Sequence, residues 1–182
     1  MLIDTHTHLF AEEFKSDISD AIERGLKNDV QKFFLPNIDS ASIEAMLSLE
    51  KSYPDHCYPM MGLHPCSVKE NYKEELAIVD QWLEKSHAYR QAGKFWGIGE
   101  VGLDFYWDKM FHVEQYETLR HQVELSIKYK LPLIIHSRNA NTELIQTLID
   151  YKNKNIFGIF HCFSDTYEIA VKLLELGNFK LG

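Results

Sequence analysis

Leu131-Pro132-Leu133-Ile134-Ile135-His136 and, one helix later, Ile156-Phe157-Gly158-Ile159-Phe160-His161 are the stretches on which the fold turns. Each is a short, unbroken apolar run closed by an imidazole. A run of this length with no polar alternation reads as a strand buried on both faces, the mark of a parallel sheet covered by helices. Between the two lies a helical pattern with Leu144, Ile145, Leu148 and Ile149 on one face.

The same alternation fills the chain in both directions. Leu2 to Leu9 reads as a first strand, on which His6 and His8, two apart, project to the same face. A helix follows near Ser16 to Asn28, capped by Ser16 or Asp17, and then the run Phe33-Phe34-Leu35 ending at Pro36. Asp39 or Ser40 caps a helix carrying Ile43, Met46 and Leu47. Tyr58 to Pro65 is a third run, followed by a helix over about Lys73 to Gln91 with Leu76, Val79, Trp82 and Leu83 as its inner stripe. Phe95 to Glu100 is a fourth run, and an aromatic loop (Phe105, Tyr106, Trp107) leads to a helix from about His112 to Lys130. After His161 a last helix, with Ile169, Ala170, Leu173 and Leu174, ends at Gly177 as its cap, and Phe179 to Gly182 begins a seventh strand. Six β-helix units in a row predict an α/β fold over residues 1–182 as a single domain. A doubly wound open sheet and a TIM-type (β/α)8 barrel are the competing topologies.

The placement of polar residues favours the barrel. His64, Glu100, His136 and His161 each close an apolar run, and in a (β/α)8 barrel those ends converge on one face. Burying such groups is costly without hydrogen bonds or a metal. Added to His6 and His8, they read as a metal site, with hydrogen-bonded core histidines as the alternative. Imidazoles with a carboxylate suit Zn or Mn, whereas Mg prefers all-oxygen sites. The ligands suffice for two ions, especially if Glu100 bridges, and such a pair activates water, so hydrolysis is the expected reaction class. His64, before Pro65, is a ligand or a substrate-side residue. Asp104 is a turn residue, a substrate contact or an acceptor that orients a histidine. Arg138 is placed either to clamp an anionic group such as phosphate or to form a salt bridge on the rim. The aromatic loop either stacks on bases or packs over the mouth. His56, His87, His112 and His121 read as ordinary.

Composition narrows the classes. The chain has 182 residues, 45% of them hydrophobic, and a formal net charge of −8. That balance disfavours a broad basic footprint for nucleic acid, leaving a substrate of that kind to be gripped locally by metal ions and a few cations. No apolar run is long enough to span a bilayer, and the N-terminus shows no secretory pattern. Cys57, Cys66 and Cys162 share no C-x-x-C spacing, which points to a reducing cytoplasm.

Asp4-Thr5-His6-Thr7-His8, Gly62-Leu63-His64-Pro65, Gly99-Glu100-Val101-Gly102-Leu103-Asp104, His136-Ser137-Arg138 and His161-Cys162-Phe163-Ser164 occur in this order. Together they resemble the TatD family of metal-dependent deoxyribonucleases, among the amidohydrolase-like barrels. The resemblance implies two divalent ions (Mg, Mn or Zn), the first on His6 and His8, the second on His136 and His161, with Glu100 bridging and His64 near the substrate. Glu100 and His64 are then the catalytic candidates, and His64, Asp104 and Arg138 the substrate candidates. It also implies hydrolysis of DNA, from a single-stranded 3′ end, with no obligate protein partner. Family members continue into strands seven and eight, where an aspartate completes the first ion's site. The expectation is therefore a barrel truncated after about six βα units, either a fragment of a longer protein or an inactive remnant. A metallohydrolase of the same class acting on a small ester, lactone or amide is the alternative.

Overall fold

The computed structural model describes residues 1–88, 95–107 and 110–182. Seven strands run in chain order: β1 (Leu2–Asp4), β2 (Val30–Pro36), β3 (Cys57–Met60), β4 (Ile98–Asp104), β5 (Leu133–Arg138), β6 (Phe157–Phe160) and β7 (Asn178–Leu181). Between them lie α1 (Ile18–Lys27), α2 (Ile43–Ser52), α3 (Tyr72–Ala88), α4 (His112–Tyr129), α5 (Asn141–Leu148) and α6 (Tyr167–Leu174). All neighbouring strands pair in parallel, β1-β2-β3 in one sheet and β4-β5-β6-β7 in the other. An isolated bridge, Met61 to Ile98, joins the two sheets.

Strand order therefore follows chain order throughout. A doubly wound sheet reverses direction at a switch point, and none occurs here. Right-handed crossovers that all step the same way put their helices on one face, as in a barrel wall. The sheet is also strongly rolled. A flat sheet would hold the ends of β1 and β6, five places apart, roughly 24 Å from each other. Yet the rings of His6 and His161, just beyond those ends, stack with centroids 3.5 Å apart. Among the described residues β7 and β1 do not pair, so the strands form an α/β arc of seven rather than a closed barrel.

Several element ends differ from the sequence reading. β1 stops at Asp4, so His6 and His8 stand in the following loop. That loop stays extended because Thr7 N–H donates to Phe34 O at 3.0 Å, and the two imidazoles remain side by side. β4 runs on to Asp104 with every residue buried, which puts Glu100 inside the strand rather than at its end. The register slips between Ile98 and Val101. Such an irregularity re-aims a side chain, and it falls at Glu100. Gly177 does not cap α6, which ends at Leu174; it is needed because a Cβ there would lie 2.3 Å from Ile156 O. Gln91, the expected end of the third helix, lies outside the described residues. One buried apolar cluster runs through both sheets, from Phe33 and Leu35 through Ile98, Val101 and Leu103 to Leu133, Ile135 and Phe179. Each such side chain contributes about 1.5–3 kcal/mol when fully withdrawn from water.

Candidate metal centre

Glu100, 2% exposed, lies at the centre of the histidines that the strand ends bring together. Its two oxygens divide them. Oε2 lies 2.9 Å from His6 Nε2 and 3.1 Å from His8 Nε2. Oε1 lies 2.8 Å from His136 Nδ1 and 3.4 Å from His64 Nε2. Burial opposes the charge on this carboxylate. Hydrogen bonds from His136, His6, His64 and His8 outweigh that and hold it well below the usual carboxylate range.

The donor set fits a divalent cation. His6 Nε2 and His8 Nε2 are 3.2 Å apart, so with Glu100 Oε2 they form a triangle with edges of 2.9, 3.1 and 3.2 Å. Ligand atoms about 2.1 Å from a common ion stand roughly 3.0–3.4 Å from one another, so the triangle has the edge of a coordination shell. The Nδ1 atoms of both rings are buried without a protein partner, consistent with Nε2 being the working atom. Two groups have potential ligand atoms all within 4.8 Å of one another: His6, Glu100 and His161, and His64, Glu100 and His136.

This grouping differs from the one expected. His161, expected beside His136, stacks its ring on His6 at an interplanar angle of 10°. His64, expected at the substrate, packs its ring against His136 with centroids 4.7 Å apart. The rolled sheet carries β6 round to β1, which strand counting does not reveal. Burial, and then repulsion from His6, pushes the His161 imidazole down to about 4, so its ring is neutral and its lone pair free at neutral pH. His136 behaves oppositely. Burial works against its charge, but Glu100 on one nitrogen and Asp104 on the other raise its pKa.

Asp104 is fully buried. Its Oδ1 accepts from the Tyr106 and Trp107 amides at 2.9 Å each, and its Oδ2 accepts from His136 Nε2 at 2.9 Å and from the Cys66 thiol at 3.4 Å. Its carboxylate is thus engaged by His136 and by the amides of the aromatic loop, the arrangement expected of an acceptor that orients a histidine. Arg138 is exposed at the rim, its guanidinium 4.5 Å from the Tyr106 ring centre and 5.3 Å from that of Trp107. It is a cation held over aromatic faces. Trp107 is 66% exposed. Beside Arg138 opens a cavity of about 430 Å³, whose walls include Asn139, Asn141, His161 and Ser164.

Three buried amide side chains carry no mark of their own in the sequence. Asn37 accepts from the Glu100 N–H at its backbone oxygen (3.2 Å), and its side chain donates to Gly62 O at 3.0 Å, tying β2 and β3 to β4 at the carboxylate. Gln115 and Gln122 of α4 hold the backbones of Asp104 and Leu63. The only signal was a polar residue on an otherwise apolar stripe.

The three cysteines are free thiols. Burial, with Glu50 adding repulsion, pushes Cys57 up to about 12, and burial with Asp104 does the same for Cys66. Both therefore stay protonated at pH 8, while Cys162 is exposed. Native protein titrated with a disulfide chromogen at pH 8 is expected to show one fast thiol, and two more only after denaturation. Three fast thiols would contradict this placement.

Residues 3–180 match the family model described as TatD related DNase. The chain is 33% identical over 181 residues to the uncharacterized metal-dependent hydrolase YabD of Bacillus subtilis, covering all of this chain and 68% of that protein. It is 27% identical over 187 residues to the deoxyribonuclease TATDN3 of Homo sapiens, covering 98% of this chain and 66% of that protein. The crystal structure of YJJV, a TatD homolog from Escherichia coli, superposes with a TM-score of 0.87 at 29% identity, over all of this chain and 67% of that one. The chain thus spans about two thirds of the length of these relatives. With a matching family model over nearly its whole length, it belongs to the TatD family of metal-dependent hydrolases.

Proposed function

We propose that this chain carries the metal-binding part of a hydrolase that cleaves DNA phosphodiesters at a single-stranded 3′ end. One observation carries the reading: each oxygen of the buried Glu100 faces its own set of imidazoles, as a bridging carboxylate must. His6, His8 and His161 would hold one divalent cation, His64 and His136 the other, with Glu100 shared between them. Bound there, the cations would lower the pKa of a water and polarise a phosphoryl oxygen.

The chain's own residues do the rest. Asp104 fixes the ring of His136, a carboxylate partner of the kind that orients a ligating imidazole. For that ring to bind a cation, one nitrogen must release its proton, so loading is coupled to proton release. Arg138 would take the phosphate next to the scissile bond, and the exposed face of Trp107 would stack a base. With a net charge of −8, attraction to DNA is confined to this rim and the cations. Among the described residues no helix is long and apolar enough to cross a membrane. The three free thiols suit a cytoplasmic setting.

Incubating the protein at its full natural length with 5′-labelled single-stranded DNA and Mn²⁺ is expected to give a ladder shortening from the 3′ end, abolished by a chelator. No metal-dependent shortening would overturn the proposal. Faster turnover of a small ester, lactone or amide in the same assay would transfer the site to that substrate class, since fold and ligands alone do not choose between them.

A further inference from the structure

Gln115 and Gln122 stand seven residues apart on α4 and so share one face of the helix, and both are fully buried. An apolar pair would pack this helix against the sheet at lower desolvation cost. What the amides add is a two-point grip on backbone. Gln122 Oε1 accepts from Leu63 N–H at 2.7 Å, and its Nε2 donates to Leu63 O at 3.1 Å. Gln115 does the same at Asp104, accepting from its N–H at 2.8 Å and donating to its O at 3.2 Å. Each amide thus imitates one residue of a neighbouring strand. At Leu63 this continues a pairing that the sheet drops, because the β3 and β4 segments are joined by the Met61–Ile98 bridge and by Trp96 N–H donating to Pro59 O at 2.9 Å, both short of Leu63.

Both grips act on the same half of the cluster. Leu63 directly precedes His64, and Asp104 holds His136 through Nε2. Among the described residues, neither amide bonds to the segments that bear His6, His8 or His161. We propose that Gln115 and Gln122 are positioning residues that set the His64–Glu100–His136 cation position and leave the other one independent of α4. The inference rests on reading the cluster as a two-cation centre.

The test is a calorimetric Mn²⁺ titration of the wild-type chain, Gln115→Leu and Gln122→Leu, with circular dichroism and melting curves on the same samples. Wild type is expected to bind two ions. Each variant should keep one binding event within about twofold and weaken the other by about tenfold or more, the usual scale for residues that orient ligands. General loosening of the fold would weaken both events together. Equal weakening, or no change in either, overturns the proposal. If a Leu variant does not fold, the matching Gln→Glu variant keeps the acceptor, loses the donor and must show the same split. Fewer than two ions on wild type removes the two-cation reading itself, and the inference falls with it.

Discussion

Glu100→Gln is expected to lower metal affinity at least about a hundredfold and hydrolysis on the order of a thousandfold, about 4 kcal/mol of transition-state stabilisation. Among the described residues, Glu100 is the side chain shared by both candidate groups. The amide keeps the shape but loses the charge, and its NH₂ end presents protons where one imidazole set needs an acceptor. Removing the charge also removes the partner that raises the His136 pKa most. That ring should then release its proton at lower pH, so the loss of metal binding is not a matter of a protonated ligand. Isothermal titration with Mn²⁺ and the 3′-shortening assay read the two effects separately. Affinity within threefold of wild type would remove Glu100 as the bridge.

Gly102→Ala is expected to be among the most damaging small substitutions in the sheet. Gly102 has φ of +149°, a conformation that L side chains rarely adopt, and a Cβ there would lie 1.9 Å from His136 O. Gly102 pairs with His136 across β4 and β5, so the strands would have to separate where the site is built. Backbone strain and overpacking each cost about 1–3 kcal/mol, and together about 3 kcal/mol or more. For a chain of this size that is a fall in melting temperature of roughly 6–12 °C. Differential scanning calorimetry checks it, and a melting point within 2 °C of wild type would contradict the close approach. The same methyl should loosen His136, so metal affinity should fall in whatever fraction stays folded.

The residues of the candidate centre were largely legible in the sequence because their signal is local. His136 and His161 close unbroken apolar runs, and Asp4-Thr5-His6-Thr7-His8 concentrates two imidazoles in five residues. A buried-type run that ends in an ionisable group is unusual enough to mark itself. Glu100 was found for the same reason but misplaced, since Val101, Gly102 and Leu103 carry the strand onward and the slip in register leaves no compositional trace. Asn37, Gln115 and Gln122 were missed because a buried amide has the same letter as an exposed one. Only the backbone groups it meets distinguish them.

Sequence alone determined the alternation of parallel strands and helices, the residue types of the candidate centre and the family, because periodicity and short motifs are properties of neighbours along the chain. Only the tertiary structure decided which imidazoles lie against one another. His161 lies against His6 and His64 against His136 because the sheet is rolled far enough to bring the ends of β1 and β6 together. That curvature is set by strand twist, register and the close approaches at Gly62, Gly99 and Gly102. Each of these depends on residues far apart in the chain.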